Sequence, residues 1–226
     1  MAPKIFDIPL RELKDVNERF QSATGIDEKN VPEKYGETVE IARRKVEQLG
    51  SARGVYDLFH IDKKEAGEVL LTGGWSLCGE VVPRFLKNAG KGICFVATLP
   101  GFDRLEEETD EMMERYFIDS WGSAFIQASE VWCRKYFKDR ISEEERLTPV
   151  WSPGQYHFDL SNQKTLFSIL KPECIGVRLN DYCKMDPIKS VSGVCGIVPK
   201  DEKEDLRPCL FCSIGKKCPS FMKGCG

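Results

Sequence analysis

The sequence is poor in the residues on which stand-alone catalysis usually rests. Its only histidines are His60 and His157, and no nucleophile and base are arranged around either. It carries neither a Walker phosphate loop nor a Rossmann glycine fingerprint, which removes the commonest nucleotide-dependent enzymes. The Asp-x-His-x-x-Gly signature that holds cobalamin through a histidine is absent as well. No apolar run approaches the roughly 20 residues needed to span a bilayer. The stretch MAPKIFDIPLREL lacks the basic and apolar regions of a secretory signal. An excess of positive charge is also missing. With 33 basic against 36 acidic residues the formal net charge is −3, whereas nucleic-acid binders normally show a basic surplus. These absences predict a cytoplasmic protein that engages neither membrane nor nucleic acid and does not work as an enzyme on its own.

What is present fits a soluble globular domain. With 226 residues, 41% of them hydrophobic and 31% charged, the chain can bury a core without disulfide staples. The expected division is a body over residues 1–199 and a charged linker with a cysteine-rich tail over 200–226. Cys78, Cys94, Cys133, Cys174, Cys183 and Cys195 are scattered, mostly in apolar stretches, and read as small buried hydrophobes. Cys209, Cys212, Cys218 and Cys225 instead crowd the last 18 residues. In a reducing compartment such a cluster more often marks a metal site than a disulfide framework.

Hydrophobic spacing predicts amphipathic helices over residues 8–24 and 33–50, then strands over 52–61 and 67–73. A helix over 78–88 follows, and the near-continuous apolar run KGICFVATL (91–99) reads as a central strand buried on both faces. A broad apolar stripe predicts one long helix over 103–136. Residues 138–159 read as an ordered loop or broken strand, 161–170 as a short helix, and 175–183 and 190–198 as two late strands. Strands interrupted by helices and returning late in the chain point to an α+β fold rather than to parallel βαβ units.

Residues 152–196 read SPGQYHFDLSNQKTLFSILKPECIGVRLNDYCKMDPIKSVSGVCG. Their ordered elements are Pro153-Gly154, Leu160 to Gln163, Ile175 to Leu179, Met185-Asp186-Pro187 and Ser190 to Gly193. This stretch resembles the C-terminal half of the activation, S-adenosylmethionine-binding, domain of cobalamin-dependent methionine synthase. With GEVLLTGGWSL, KNAGKGICFVATLPGFDRLEE and the long helix, the resemblance extends over residues 5 to 198. It implies an α+β fold with a twisted, mainly antiparallel sheet flanked by helices. It also implies a ligand site formed by Ser152, Pro153, Gly154, Gln155 and Tyr156 with Ser192, Gly193 and Cys195, and a corrinoid protein or cobalamin-dependent methyltransferase as partner. Cobalamin is then met only through that partner.

The departures from the family pattern bear on S-adenosylmethionine. The family loop carries an arginine and a tyrosine where this chain has Val150 and Gln155, and an aromatic pair where it has Cys195 and Gly196. A guanidinium pairs bidentately with the ligand carboxylate, and valine cannot. The resemblance therefore implies an S-adenosylmethionine site that is weakened or lost, with Tyr156, Arg146 and His157 as the nearest substitutes.

In the tail, Cys209-x2-Cys212 can clamp one metal or one cluster edge, while the six residues between Cys218 and Cys225 depart from the tight second pair of most zinc sites. Cys218-Pro219 has the form that often closes iron–sulfur motifs. An iron–sulfur cluster, a zinc ion and uncoordinated thiols are all open readings. A cluster would suit a protein that supports reductive reactivation of a corrinoid methyltransferase, or one that donates the electron itself. A zinc-bearing scaffold is the other reading.

Overall fold

The computed structural model describes residues 3–27, 31–203 and 206–211. Its centre is the apolar run read from the sequence. Strand β5 (Lys91–Thr98) is flanked by two antiparallel neighbours, β2 (Ser51–Glu65) and β9 (Ser190–Pro199). Alternation along β5 splits the protein into two cores. Ile93, Phe95 and Ala97 enter one apolar cluster, and Cys94 and Val96 enter the other. The sheet is thus a middle layer between two helical layers, which is why this strand carries almost no polar residue.

The sheet runs β4-β3-β2-β5-β9-β6, with β1 paired on the side of β2 away from β5. The remaining members are β1 (Lys4–Pro9), β3 (Glu68–Leu71), β4 (Trp75–Cys78) and β6 (Glu145–Leu147). Every pairing is antiparallel. A separate two-stranded ribbon joins β7 (Arg178–Leu179) to β8 (Met185–Asp186). The fold is α+β, with a mainly antiparallel sheet flanked by helices.

One face of the sheet carries α1 (Val16–Thr24), α2 (Glu33–Glu47), α4 (Phe102–Glu107) and α5 (Met112–Lys138). The apolar stripe of α5 supplies its core: Phe117, Trp121 and Phe125 are buried, and Phe20 stacks on Trp121 at 3.8 Å. The other face carries the single-turn α3 (Val82–Phe85), α6 (Asn162–Leu170) and the connection between β6 and α6.

Several elements differ from the sequence reading. The helix expected over 8–24 begins only at Val16. Upstream, Phe6 and Ile8 alternate inward as strand β1, and Leu10–Glu12 form one 3-10 turn. A two-residue period gives way there to a helical one. The helix expected over 78–88 shrinks to one turn, because residues 75–78 complete a hairpin through the Thr72-Gly73-Gly74 turn. The long helix is interrupted after Glu107 and restarts at Met112. There the Glu111 carboxylate accepts a hydrogen bond from the Glu114 amide at 2.5 Å. The strand expected over 175–183 is a 3-10 turn, Pro172–Ile175, followed by the β7–β8 ribbon.

One half-buried acid in this scaffold has its carboxyl shifted well above the ordinary range. Glu130 lies on α5, and burial pushes its carboxyl up from the ordinary 4.5 to about 7, with Arg19 offsetting only part of that. A raised carboxyl pKa means that the folded state holds the proton more tightly than the unfolded state. The contribution of Glu130 to stability is therefore most favourable at acid pH and declines as pH rises from about 4.5 through 7. Glu130→Gln, which mimics the protonated form, is expected to remove this dependence. At pH 8 it should stabilise the protein by at most about 3 kcal/mol. Urea unfolding of both proteins at pH 5 and pH 8 checks this; an equal pH dependence in the two would contradict it.

Candidate functional site

The segment 150–163 is built around Trp151. Its ring is fully buried and stacks on Phe85 at 5.1 Å, with an interplanar angle of 7°. Its backbone exchanges two hydrogen bonds with Val194, at 2.9 and 2.8 Å, stitching the start of the loop to β9. Beyond it the chain turns sharply. Gly154, Tyr156 and His157 all have positive φ, at 92°, 45° and 66°. The Gly154 amide donates to the Phe158 carbonyl at 2.7 Å, and the Phe158 amide donates to that of Gln155 at 2.8 Å. Two adjacent side-chain-bearing residues in the left-handed region store backbone strain, a condition that clusters at ligand loops.

Neighbouring elements hold this turn in place. Asn162, at the start of α6, accepts from the Cys78 amide at 2.7 Å and donates to the carbonyls of Cys78 at 2.7 Å and Asp159 at 2.6 Å. Gly79 follows at φ 138°, and a Cβ there would meet the His157 carbonyl oxygen at 2.3 Å. The β4–α3 turn and the loop thus lie backbone to backbone.

The eight residues expected to form the ligand site divide between the two faces of the sheet. Ser152, Pro153, Gly154, Gln155 and Tyr156 lie on the α6 side, where Gly154 and Gln155 are exposed and Tyr156 sits edge-on to Trp151 at 6.3 Å. Ser192 is on that side too: it is buried and accepts a hydrogen bond from Gln163 Nε2 at 2.8 Å. Ser190, two residues earlier, places its hydroxyl 2.9 Å from Thr98 Oγ1 and 2.7 Å from the Pro187 carbonyl. Gly193 and Cys195 have the opposite parity and face α5. The Cys195 thiol is fully buried, 3.8 Å from the Ile93 carbonyl, and burial raises its pKa to about 12. Burial likewise keeps the thiols of Cys94 and Cys133 protonated.

The positions that depart from the family pattern have physical occupants. Val150 is buried in the α5-side core, and a Cβ on Gly193 would lie 2.4 Å from Val150 Cγ1 and 2.7 Å from Phe95 Cε1. At Gly196 an added Cβ would meet Ala89 at 2.9 Å and Leu86 at 3.2 Å, so α3 and the turn after it fill the space of a larger side chain. Arg146 donates from Nε to the Glu202 carbonyl at 2.9 Å and again to it from Nη2, so its guanidinium is engaged with the segment after β9.

One charged cluster was not read from the sequence. Lys189 is buried, with Nζ 2.6 Å from Asp119 Oδ1 and 2.8 Å from Ser123 Oγ. On α4, burial raises the Asp103 pKa, followed by Asp186 and Glu107, while Lys189 opposes the shift. The signal was there: Lys189 shares the parity of Val191, Cys195 and Ile197, a charge placed in a core-facing series.

The described part of the C-terminal segment returns to the same loop. Trp151 Nε1 donates to the Leu206 carbonyl at 3.3 Å, the Phe211 ring lies 5.7 Å from Trp151, and Arg84 sits 5.4 Å from the Phe211 ring. Cys209, in the 3-10 turn Pro208–Leu210, is partly buried. Cys212, Cys218 and Cys225 lie outside the described residues. Among the described residues no three His, Cys, Asp or Glu side chains gather as a metal-binding group. Among them, too, no helix is long and apolar enough to cross a membrane.

No protein-family model and no curated protein matches the sequence. The structure is similar to a crystal structure of the MetH reactivation domain bound to AdoHcy, with a TM-score of 0.62. The match has 14% identity and covers 91% of this chain and 81% of that one. At that identity the likeness establishes the fold.

Proposed function

We propose that this chain supports the reductive reactivation of a cobalamin- or corrinoid-dependent methyltransferase, using the scaffold of a reactivation domain with a weakened or lost S-adenosylmethionine site. The observation that carries this reading is the combination of the MetH reactivation-domain fold over 91% of the chain with a buried valine at position 150. Ser152 to Tyr156, with Ser192, remain the surface on which the partner or a residual ligand would be met. A cobalamin enzyme that slips to the cob(II) state must accept one electron to regain cob(I). In this reading the protein docks on the corrinoid partner and promotes that step, and the partner alone holds cobalamin.

The cysteine tail supplies the rest of the proposal. Cys209, Cys212, Cys218 and Cys225 are read as ligands of an iron–sulfur cluster, in a region beginning after the charged run that opens at residue 200. Support comes from Leu206 and Phe211, which pack on Trp151 at the root of the loop, so the tail starts beside the surface where the chemistry is placed. Zinc held by the same thiolates would instead make the protein a redox-silent scaffold. Anaerobic purification with iron and zinc analysis separates the two, since colourless, iron-free protein removes the cluster.

The decisive test is kinetic. The host's corrinoid methyltransferase, poised in the cob(II) state, is mixed anaerobically with a low-potential reductant, with and without the full chain. Loss of the cob(II) absorbance is expected to accelerate at least about 10-fold with the chain present, a lowering of the barrier by about 1.4 kcal/mol. An unchanged rate would remove the proposal.

A further inference from the structure

On the opposite side of the protein from the loop, α5 and the 3-10 turn at Leu10–Glu12 border an open cleft of about 390 Å³. It is lined by Glu12, Lys14, Ala128, Val131, Trp132 and Lys135. Its size falls within the range of small-molecule sites, roughly 300–1,000 Å³. Trp132 forms its aromatic wall. The indole packs near-parallel to Tyr136 at 5.1 Å and to Phe6 at 6.3 Å, and its Nε1 donates to Glu12 Oε2 at 3.3 Å. The ring is therefore held in one orientation. One helical turn earlier the neighbouring residue is Ala128, whose methyl group leaves the space beside the indole open.

The rim is electrostatically biased. Lys14 and Lys135 are both exposed, and neither is paired with a carboxylate among the described residues. The single acid, Glu12, accepts the indole N–H. A fixed indole wall, an apolar floor of Ala128 and Val131, and two unpaired ammonium groups favour a flat aromatic group bearing a negative charge. We propose that this cleft binds a nucleotide, with the base stacked on Trp132 and the phosphates met by Lys14 and Lys135. Base–aromatic stacking tolerates any base because each offers a π face, so the site selects for phosphate more than for base identity. The proposal is independent of the loop and of the corrinoid reading.

Calorimetric titration of the full chain with ADP, adenosine and inorganic phosphate tests it. Saturable ADP binding is expected, with adenosine and phosphate each at least about 10-fold weaker and the ADP affinity falling with salt. The double variant Lys14→Glu with Lys135→Glu changes exposed side chains only, so its melting temperature should stay close to that of the parent. Its ADP affinity should fall at least about 10-fold. Trp132→Leu should abolish the stacking contribution and bring ADP to the level of phosphate. The assignment is overturned by the absence of saturable ADP binding at millimolar concentration. It is equally overturned by adenosine binding as tightly as ADP, or by ADP affinity unchanged in the lysine double variant.

Discussion

Gly79→Ala should cost the fold about 3 kcal/mol or more. A backbone φ of 138° lies where side-chain-bearing residues rarely go, which alone costs of order 1–3 kcal/mol. The new Cβ would also lie 2.3 Å from the His157 carbonyl oxygen, 3.1 Å from the Phe158 Cα and 3.2 Å from the Asp159 amide nitrogen. All three are backbone atoms, so no rotamer change relieves the contact and the loop must move as a unit. That movement pulls on Asn162, whose amide bridges Cys78 and Asp159. A buried amide that loses its partners costs about 1–3 kcal/mol in its own right. Gly74 provides the control. It too has positive φ, at 82°, but nothing lies within 4 Å of an added Cβ, and Gly74→Ala should cost only about 1 kcal/mol. Urea unfolding of the two variants makes the comparison, and equal losses would show that the loop is not held by this contact.

The parts of the fold that were legible in the sequence are those where one periodicity runs unbroken. The run 91–99 could only be a strand buried on both faces, and it is β5. The stripe from Leu105 to Trp132 reads as one helix over 103–136, and most of it is α5. Legibility failed where two periodicities meet within a few residues. Phe6 and Ile8 obey a strand period and Val16 and Phe20 a helical one, and Pro9, which closes β1, was the available sign of the change. It failed again at 75–78, where Trp75, Ser76, Leu77 and Cys78 suit either a hairpin or the opening of a helix. The Gly73-Gly74 pair was the available sign of the turn.

For the candidate site, sequence alone could place residues along the chain but not on a face of the sheet. Ser190 and Ser192 share parity, and the structure turns both toward α6. The same rule puts Gly193 and Cys195 on the other side, against α5, so the expected ligand set straddles the sheet. Lys189 escaped notice because its partners, Asp119 and Ser123, are distant in sequence and join it only through packing of α5 on β9. Trp151 escaped for a similar reason, since its stacking partner Phe85 and the C-terminal Leu206 converge only in three dimensions.

We propose that the reactivation-domain scaffold works here without a carboxylate clamp, and that the clamp is lost at Val150. Its side chain fills space left by Gly193 beside Phe95 in the core, so the position faces away from the loop surface. Arg146, the nearest guanidinium along the chain, is bonded to the Glu202 carbonyl. Gly196 has no room for an aromatic ring beside Ala89 and Leu86. Forgoing a charge-assisted pair costs about 1.5–3 kcal/mol, and losing an aromatic contact as well brings the expected weakening to roughly 100-fold or more. The most direct measurement is a calorimetric titration of the full chain with S-adenosylmethionine. The account predicts no saturable binding up to about 1 mM, equivalent to less than about 4 kcal/mol of affinity; saturable binding with a micromolar dissociation constant would contradict it.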